Sequence, residues 1–219
     1  IPSPSPATPF ISPSGRDICR LFRPGHPSPF PTGTSSPAGL DIRRFFREQL
    51  DRLGTDYVDY YWLHAVNAAT YETAKRVDAF GELRALKAEG LTRHIGLSFH
   101  DSADVLDRIL TEHPEMEYVQ LQLNYFDWDS KSVQARKCYE VCAKHGKQVV
   151  VMEPVKGGSL AKLPEELEQI YRREQPGLST ASWAVRFAAS LENVLVVLSG
   201  MSNMEQVEDN TSYMKDFQP

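Results

Sequence analysis

The chain has 219 residues, a formal net charge of −5 and 41% hydrophobic residues, enough for one sizeable domain or for most of a parallel barrel of roughly 250 residues. The acidic balance argues against a nucleic-acid footprint, which shows as a basic patch, and no run of about 18 apolar residues exists to span a membrane. Three cysteines, Cys19, Cys138 and Cys142, suit a reducing compartment better than a disulfide scaffold, and early prolines break any signal-peptide layout; the expectation is a soluble cytoplasmic protein.

Residues 1–40 form a separate unit by composition. Ten of the fifteen prolines lie between Pro2 and Pro37, and no Lys or Tyr precedes Tyr57. Proline fixes φ and removes a donor, which excludes a central strand or a helix interior, so this stretch reads as extended and disordered. Three origins stay open: a linker, a ligand for a polyproline-binding domain, or an out-of-frame translation of a G+C-rich gene.

From Asp41 the texture changes, and residues 41–219 read as strands alternating with helices. Ile42, Phe45, Phe46, Gln49, Leu50 and Leu53 share a helical face that ends at Gly54. Tyr57 to His64 is an aromatic, β-branched strand. Tyr71 to Leu91 is predicted helical, Arg93 to Phe99 a strand, and Asp101 or Ser102 caps a helix through Leu110. Glu117 to Phe126 is predicted a strand, Lys131 to His145 a helix, and Gln148 to Val155 a strand. Thr180 to Leu191 is a helix, Val194 to Leu198 a strand, and a final helix starts at Met204.

This alternation predicts an α/β fold with a parallel sheet and right-handed crossovers. Five strands are about five of the eight units of a (β/α)8 TIM-type barrel; an open doubly wound sheet is the alternative. Such a fragment would leave two strand edges and an apolar wall exposed, which predicts poor solubility or self-association. In a barrel the site lies at the carboxyl ends of the strands. His64, Ser98 and Met152-Glu153-Pro154 stand there, while Gln120, Gln122 and Asn124 form a polar row at period two. Buried polar groups require hydrogen bonds, internal or to a ligand. Taken singly these residues are weak signals: a lone strand-end His is usually structural, and Gly157-Gly158 is a slight phosphate-loop hint. Cys138 and Cys142 share a helix face but lack further ligands for a metal, so no metal site is expected.

Several ordered segments together resemble the aldo-keto reductase family. They are Leu53-Gly54-Thr55-Asp56-Tyr57-Val58-Asp59 with His64, Ala88 to Ser98, Gln120 to Tyr125, Met152-Glu153-Pro154, and Ser199-Gly200-Met201-Ser202 followed by Gln206 and Asn210. The likeness is greatest to a bacterial branch whose longer members add an iron–sulfur module after the barrel; the clustered cysteines of that module are missing here, so no cluster is expected. The resemblance implies NAD(P)H-dependent reduction of a small aldehyde or ketone by hydride transfer, with NADPH as cofactor and NADH as an alternative.

By the same resemblance, His64 orients and polarises the carbonyl. Ser98 and Gln120 bind the nicotinamide carboxamide, and Met152 replaces an aromatic that stacks on the ring. Glu153, Val155, Gly157 and Gly158 fall in the pyrophosphate loop, and Gly200, Met201, Ser202, Gln206 and Asn210 at the adenosine end. Phe99 stands where many members have Asn, and Gln206 where many have an Arg for the 2′-phosphate. The family's Asp, Tyr and Lys belong to early strands, and the residues before 41 offer no Tyr or Lys. The chain is therefore expected to be a truncated reductase without turnover, the alternative being a non-catalytic nucleotide-binding or protein-interaction remnant. An unrelated barrel enzyme using Lys156 as a Schiff-base lysine is the third reading.

Overall fold

The computed structural model describes residues 10–11, 42–215 and 217, with only the backbone of the first pair. The disorder expected over residues 1–40 otherwise lies outside the described residues. In chain order the elements are β1 (Phe10–Ile11), α1 (Ile42–Leu53), β2 (Val58–Val66), α2 (Ala68–Arg76), α3 (Ala79–Ala88), β3 (Thr92–Phe99) and α4 (Ala103–Glu112). They continue with β4 (Tyr118–Gln122), α5 (Ala135–Lys144), β5 (Gln148–Met152), α6 (Glu165–Glu174), α7 (Thr180–Ala189), β6 (Val194–Leu198) and α8 (Met204–Ser212).

The sheet order is β1-β6-β5-β4-β3-β2. Strands β2 to β6 pair in parallel, each with its successor, while β1 adds an antiparallel rung pair, Phe10 to Leu198 and Ile11 to Val197. A doubly wound sheet reverses strand order at a switch point; this order never reverses among the parallel strands, so the winding is that of a barrel wall. The two-residue β1 is a contact of the proline-rich stretch with the sheet that composition did not foretell. It lies at the sheet edge, a position that tolerates proline-rich flanks.

Alternation divides the strands between two layers. Leu97, Phe99, Val119, Leu121, Val149, Val151 and Val197 face the helices and join Leu83, Leu106, Ile109, Leu110 and Val185 in the main core. On the opposite face Tyr118, Val150 and Val196 are buried, with Tyr60, Trp62, Leu195 and Leu198 packed against them. These three central wall residues are covered, while Tyr60, Trp62, Leu195 and Leu198 on the same face stay partly exposed. Edge-on contacts of Tyr118 with Tyr60 and Trp62 (ring centroids 5.4 and 6.0 Å) contribute to that cover. Gly96 makes the approach possible: a Cβ there would lie 2.5 Å from the Tyr118 carbonyl oxygen.

Three predicted elements differ in detail. The helix expected over Tyr71 to Leu91 is two helices, broken at Asp78, which adopts φ +49° and accepts from the Gly81 N–H to cap α3. Asp tolerates the left-handed region better than most residues because its carboxylate bonds locally. Helix α2 starts earlier, at Ala68, because Asn67 and Thr70 form a reciprocal capping box. Strands β4 and β5 end at Gln122 and Met152, short of Phe126 and Val155, where the chain turns into the loops described next.

Candidate functional site

The parallel register brings the strand ends together. Ser98 pairs with Gln120, Gln120 with Val150, and Gln122 with Met152. Beyond Leu63, β2 has an irregularity: Ala65 adopts φ +54° and Val66 pairs with Phe99. His64 lies on this bulge, exposed at the end of the wall, and desolvation holds its imidazole below the ordinary value of 6.5. His100, not singled out by sequence reasoning, is one residue past β3. Its Nε2 lies 3.3 Å from Ser98 Oγ, and its pKa is lowered by desolvation and then by the charge of His64.

Ser98 and Gln120 are both buried, at 0% and 7% exposure. Ser98 has its hydroxyl contact with His100, but among the described residues the Gln120 amide has no hydrogen-bond partner. The residue is nearly buried but its amide reaches solvent, so a donor pair and an acceptor at the strand end are open to another carboxamide.

The loop after β5 is held by a network that sequence reasoning missed. Asp127, 3% exposed, accepts from Lys156 Nζ at 2.6 and 2.7 Å, Asn124 Nδ2 at 3.1 Å and Gln122 Nε2 at 3.2 Å. Burial alone would raise its pKa; the bonds from Lys156, Asn124 and Gln122 outweigh that and hold it below the usual 3.8. Asn124 also donates to the Glu153 carbonyl at 3.0 Å and accepts from the Asp127 N–H at 2.9 Å. The polar row on β4 was legible; its target, 29 residues further along, was not.

Within that loop Glu153, Lys156, Gly157 and Gly158 have φ of +58°, +49°, +60° and +92°. The run of left-handed residues makes this loop a tight turn that directs some backbone N–H groups outward. The Lys156, Gly158, Ser159 and Leu160 N–H groups bond within the loop, whereas among the described residues those of Glu153, Val155 and Gly157 have no partner. Lys156 faces Asp127 and lies over the Phe126 ring at 5.0 Å.

The residues after β6 form a second group. Met201 is buried, Gly200 and Ser202 are exposed, and Gln206 Oε1 accepts from the Ser202 N–H at 2.7 Å and hydroxyl at 3.2 Å. Asn210 is buried and bonded at both ends, donating to Ser199 Oγ at 2.9 Å and accepting from the Tyr213 hydroxyl at 2.8 Å. Cys138 and Cys142 are buried and free, the first thiol pushed up to about 11 by burial and the second higher still. They pack in the core.

The model of the aldo/keto reductase family matches residues 31–218. The chain belongs to that family. It is 33% identical over 167 residues to an aldo-keto reductase of Mycolicibacterium vanbaalenii, covering 75% of this chain and 54% of the relative. Against an uncharacterized oxidoreductase of Schizosaccharomyces pombe it is 27% identical over 171 residues, covering 76% and 52%. The chain thus spans about half the length of these curated relatives. Among solved structures, an aldo/keto reductase from Brucella melitensis aligns with a TM-score of 0.62 at 23% identity, covering 80% of this chain and 62% of that one. One from Klebsiella pneumoniae, crystallised with NADP and acetate, aligns at 0.60 with 19% identity, covering 79% and 59%. At those identities the likeness establishes the fold, a partial TIM-type barrel wall.

Proposed function

We propose that the chain is the dinucleotide-binding portion of an NAD(P)H-dependent oxidoreductase acting on a small carbonyl compound. The observation that carries this reading is the Gln120 amide beside Ser98, open to solvent and without a hydrogen-bond partner among the described residues, at the strand ends where such barrels place their sites. When bound, the dinucleotide supplies hydride to a carbonyl carbon. The chain's own residues do the binding. Ser98 and Gln120 orient the carboxamide, and Met152 borders the ring. The N–H groups of Glu153, Val155 and Gly157, with Gly158 keeping the turn open, receive the pyrophosphate. Gly200, Met201 and Ser202 border the adenosine end, where Gln206 keeps its amide N–H groups for a ribose or phosphate oxygen. A neutral Gln attracts a 2′-phosphate less than a cation does, so NADPH is bound with little advantage over NADH.

His64, neutral at pH 7, polarises the carbonyl by hydrogen bonding. Proton delivery to the developing alkoxide is a separate step, normally contributing roughly 10²–10⁴-fold, and no residue here matches the family's Tyr, Lys and Asp. The chain is therefore a binder with little or no turnover; the nucleotide-binding remnant is the second reading, favoured by that same lack. Titration of the full chain with NADPH and NADH, followed by nucleotide fluorescence, tests the proposal, with reduction of small aldehydes assayed in parallel. Saturable binding that weakens in Gln120→Ala is expected. Failure to bind either nucleotide refutes the reading, and brisk turnover refutes the catalytic deficit.

A further inference from the structure

Resting on the dinucleotide reading above, we propose that His100 is a positioning residue whose protonation sets the orientation of the Ser98 hydroxyl and makes the site discriminate oxidised from reduced dinucleotide according to pH. Ser98 is wholly buried in β3, and its hydroxyl has one proton to give and two lone pairs to receive. Its one hydrogen-bond partner among the described residues is His100 Nε2, at 3.3 Å. The imidazole is tethered by its own backbone, since the His100 N–H donates to the Val66 carbonyl at 2.9 Å. Whatever the imidazole asks of the hydroxyl therefore determines what remains for a ligand at the strand ends.

A neutral imidazole with its proton on Nδ1 accepts the Ser98 O–H and leaves Oγ as an acceptor for an amide N–H. An imidazolium donates from Nε2, so Oγ accepts from it and the hydroxyl proton turns outward toward a carbonyl oxygen. The titratable groups facing His100 are few. His64 comes from β2, and its charge disfavours a second cation. Asp101 follows in the chain, its two oxygens taken by the Ala68 N–H at 2.8 Å and the Ser102 N–H at 2.7 Å. Cys138 comes from α5 across a cavity of about 190 Å³ that His100 and Asp101 also line, and its thiol is uncharged at neutral pH. Together these keep His100 neutral at pH 7 and let it charge only once the medium falls below the ordinary imidazole value.

The charge has a second effect that separates the two redox forms. An oxidised nicotinamide ring carries a positive charge and a reduced one does not. A cationic His100 a few ångströms away opposes only the oxidised form, by on the order of threefold in affinity for a water-like screening medium. Lowering the pH should thus weaken NADP⁺ more than NADPH.

The test is binding of NADP⁺ and NADPH to the full chain by calorimetry from pH 4.5 to 8, with His100→Gln alongside. His100 is exposed, so the variant should retain its fold by circular dichroism. The expected result is about a threefold larger acid-side loss for NADP⁺ than for NADPH, absent in His100→Gln. An independent reading comes from the His100 imidazole followed by NMR: Ser98→Ala should move its titration downward by about half a unit, because the charge-assisted bond that the imidazolium donates to Oγ is lost along with the weaker bond to the neutral form. A difference between the two forms that persists in His100→Gln, or an unmoved His100 titration in Ser98→Ala, overturns the inference alone. Absence of binding by the unaltered chain at every pH overturns the dinucleotide reading and the inference with it.

Discussion

Lys156→Met removes the cation that faces Asp127 and leaves the carboxylate where it is, 3% exposed. The carboxylate loses its two contacts of 2.6 and 2.7 Å and keeps only the neutral amides of Asn124 and Gln122. Removing one partner of a buried pair costs about 3–5 kcal/mol because the other charge is left uncompensated. Lys156 is itself 34% exposed, and two amide donors remain, so the low end applies: about 3 kcal/mol at pH 7. The left-handed φ of +49° at this position strains Met as it strains Lys, so backbone cost cancels. Adding Asp127→Asn removes the stranded charge and should return the double variant to within about 1 kcal/mol of the unaltered protein. The pH dependence has a definite sign. In the unaltered chain Asp127 titrates below its unfolded value, so its contribution is present above about pH 4 and is lost as pH falls through the folded pKa. In Lys156→Met the folded pKa rises instead, and the deficit should shrink as the medium is acidified toward pH 4. Urea unfolding followed by tryptophan fluorescence measures both effects. A single variant within about 0.5 kcal/mol of the unaltered chain, or a double variant no more stable than the single, would refute the buried-pair account.

Gly96→Ala should be destabilising by about 1–3 kcal/mol, because its Cβ would stand 2.5 Å from the Tyr118 carbonyl oxygen and 2.8 Å from the ring; an unchanged thermal midpoint would contradict that close approach. His64 and His100 both titrate below 6.5 when folded, so the unfolded chain takes up protons first and stability is lost as pH falls from 6.5 through the folded values. His64→Gln and His100→Gln should each reduce this slope in unfolding titrations between pH 6.5 and 5, and an undiminished slope places the acid sensitivity elsewhere. In a Cys19→Ser background, Cys138 and Cys142 should resist iodoacetamide at pH 8 until urea unfolds the chain, since burial keeps both thiols protonated; rapid labelling of the folded chain would mean that α5 opens readily.

How far the sequence could be read depended on where each element's stability originates. The apolar run Val194–Leu198, bounded by Asn193 and Ser199, has no other use than a buried strand, and β6 has those bounds. Strands β4 and β5 were drawn too long because apolar and polar residues continue the alternation past the ladder, whereas Asn124 and Glu153 are already turning to bond each other. Helix α6 was missed altogether. It has no buried residue, although Leu167, Ile170 and Tyr171 stand at helical spacing; it is laced by Arg172 with Glu165 and Glu168 at 3.1 and 2.6 Å, and Tyr171 stacks on Trp183 at 4.7 Å. Such surface pairs contribute little singly, and the helical spacing of three apolar residues, none of them buried, was the signal passed over.

The site divides along the same line, between what a position implies and what its atoms have left to offer. Ser98, Gln120 and Gly157 were legible because packing alone seldom calls for polar side chains at strand ends or a glycine pair after a strand, and Gln120 retains a free amide. Gln206 and Asn210 were legible only through resemblance, and their hydrogen bonds separate them. Gln206 gives its oxygen to Ser202 and keeps its two N–H groups, so it can still face a ligand. Asn210 is engaged at both ends, by Ser199 and Tyr213, and lies buried, as Met201 does. Its removal would leave the Tyr213 hydroxyl without its acceptor, at a cost of about 1–3 kcal/mol for a buried polar group. Asn210 therefore fixes α8 against the loop that follows β6, and if that loop borders the dinucleotide as proposed, a variant there should lose stability before it loses affinity.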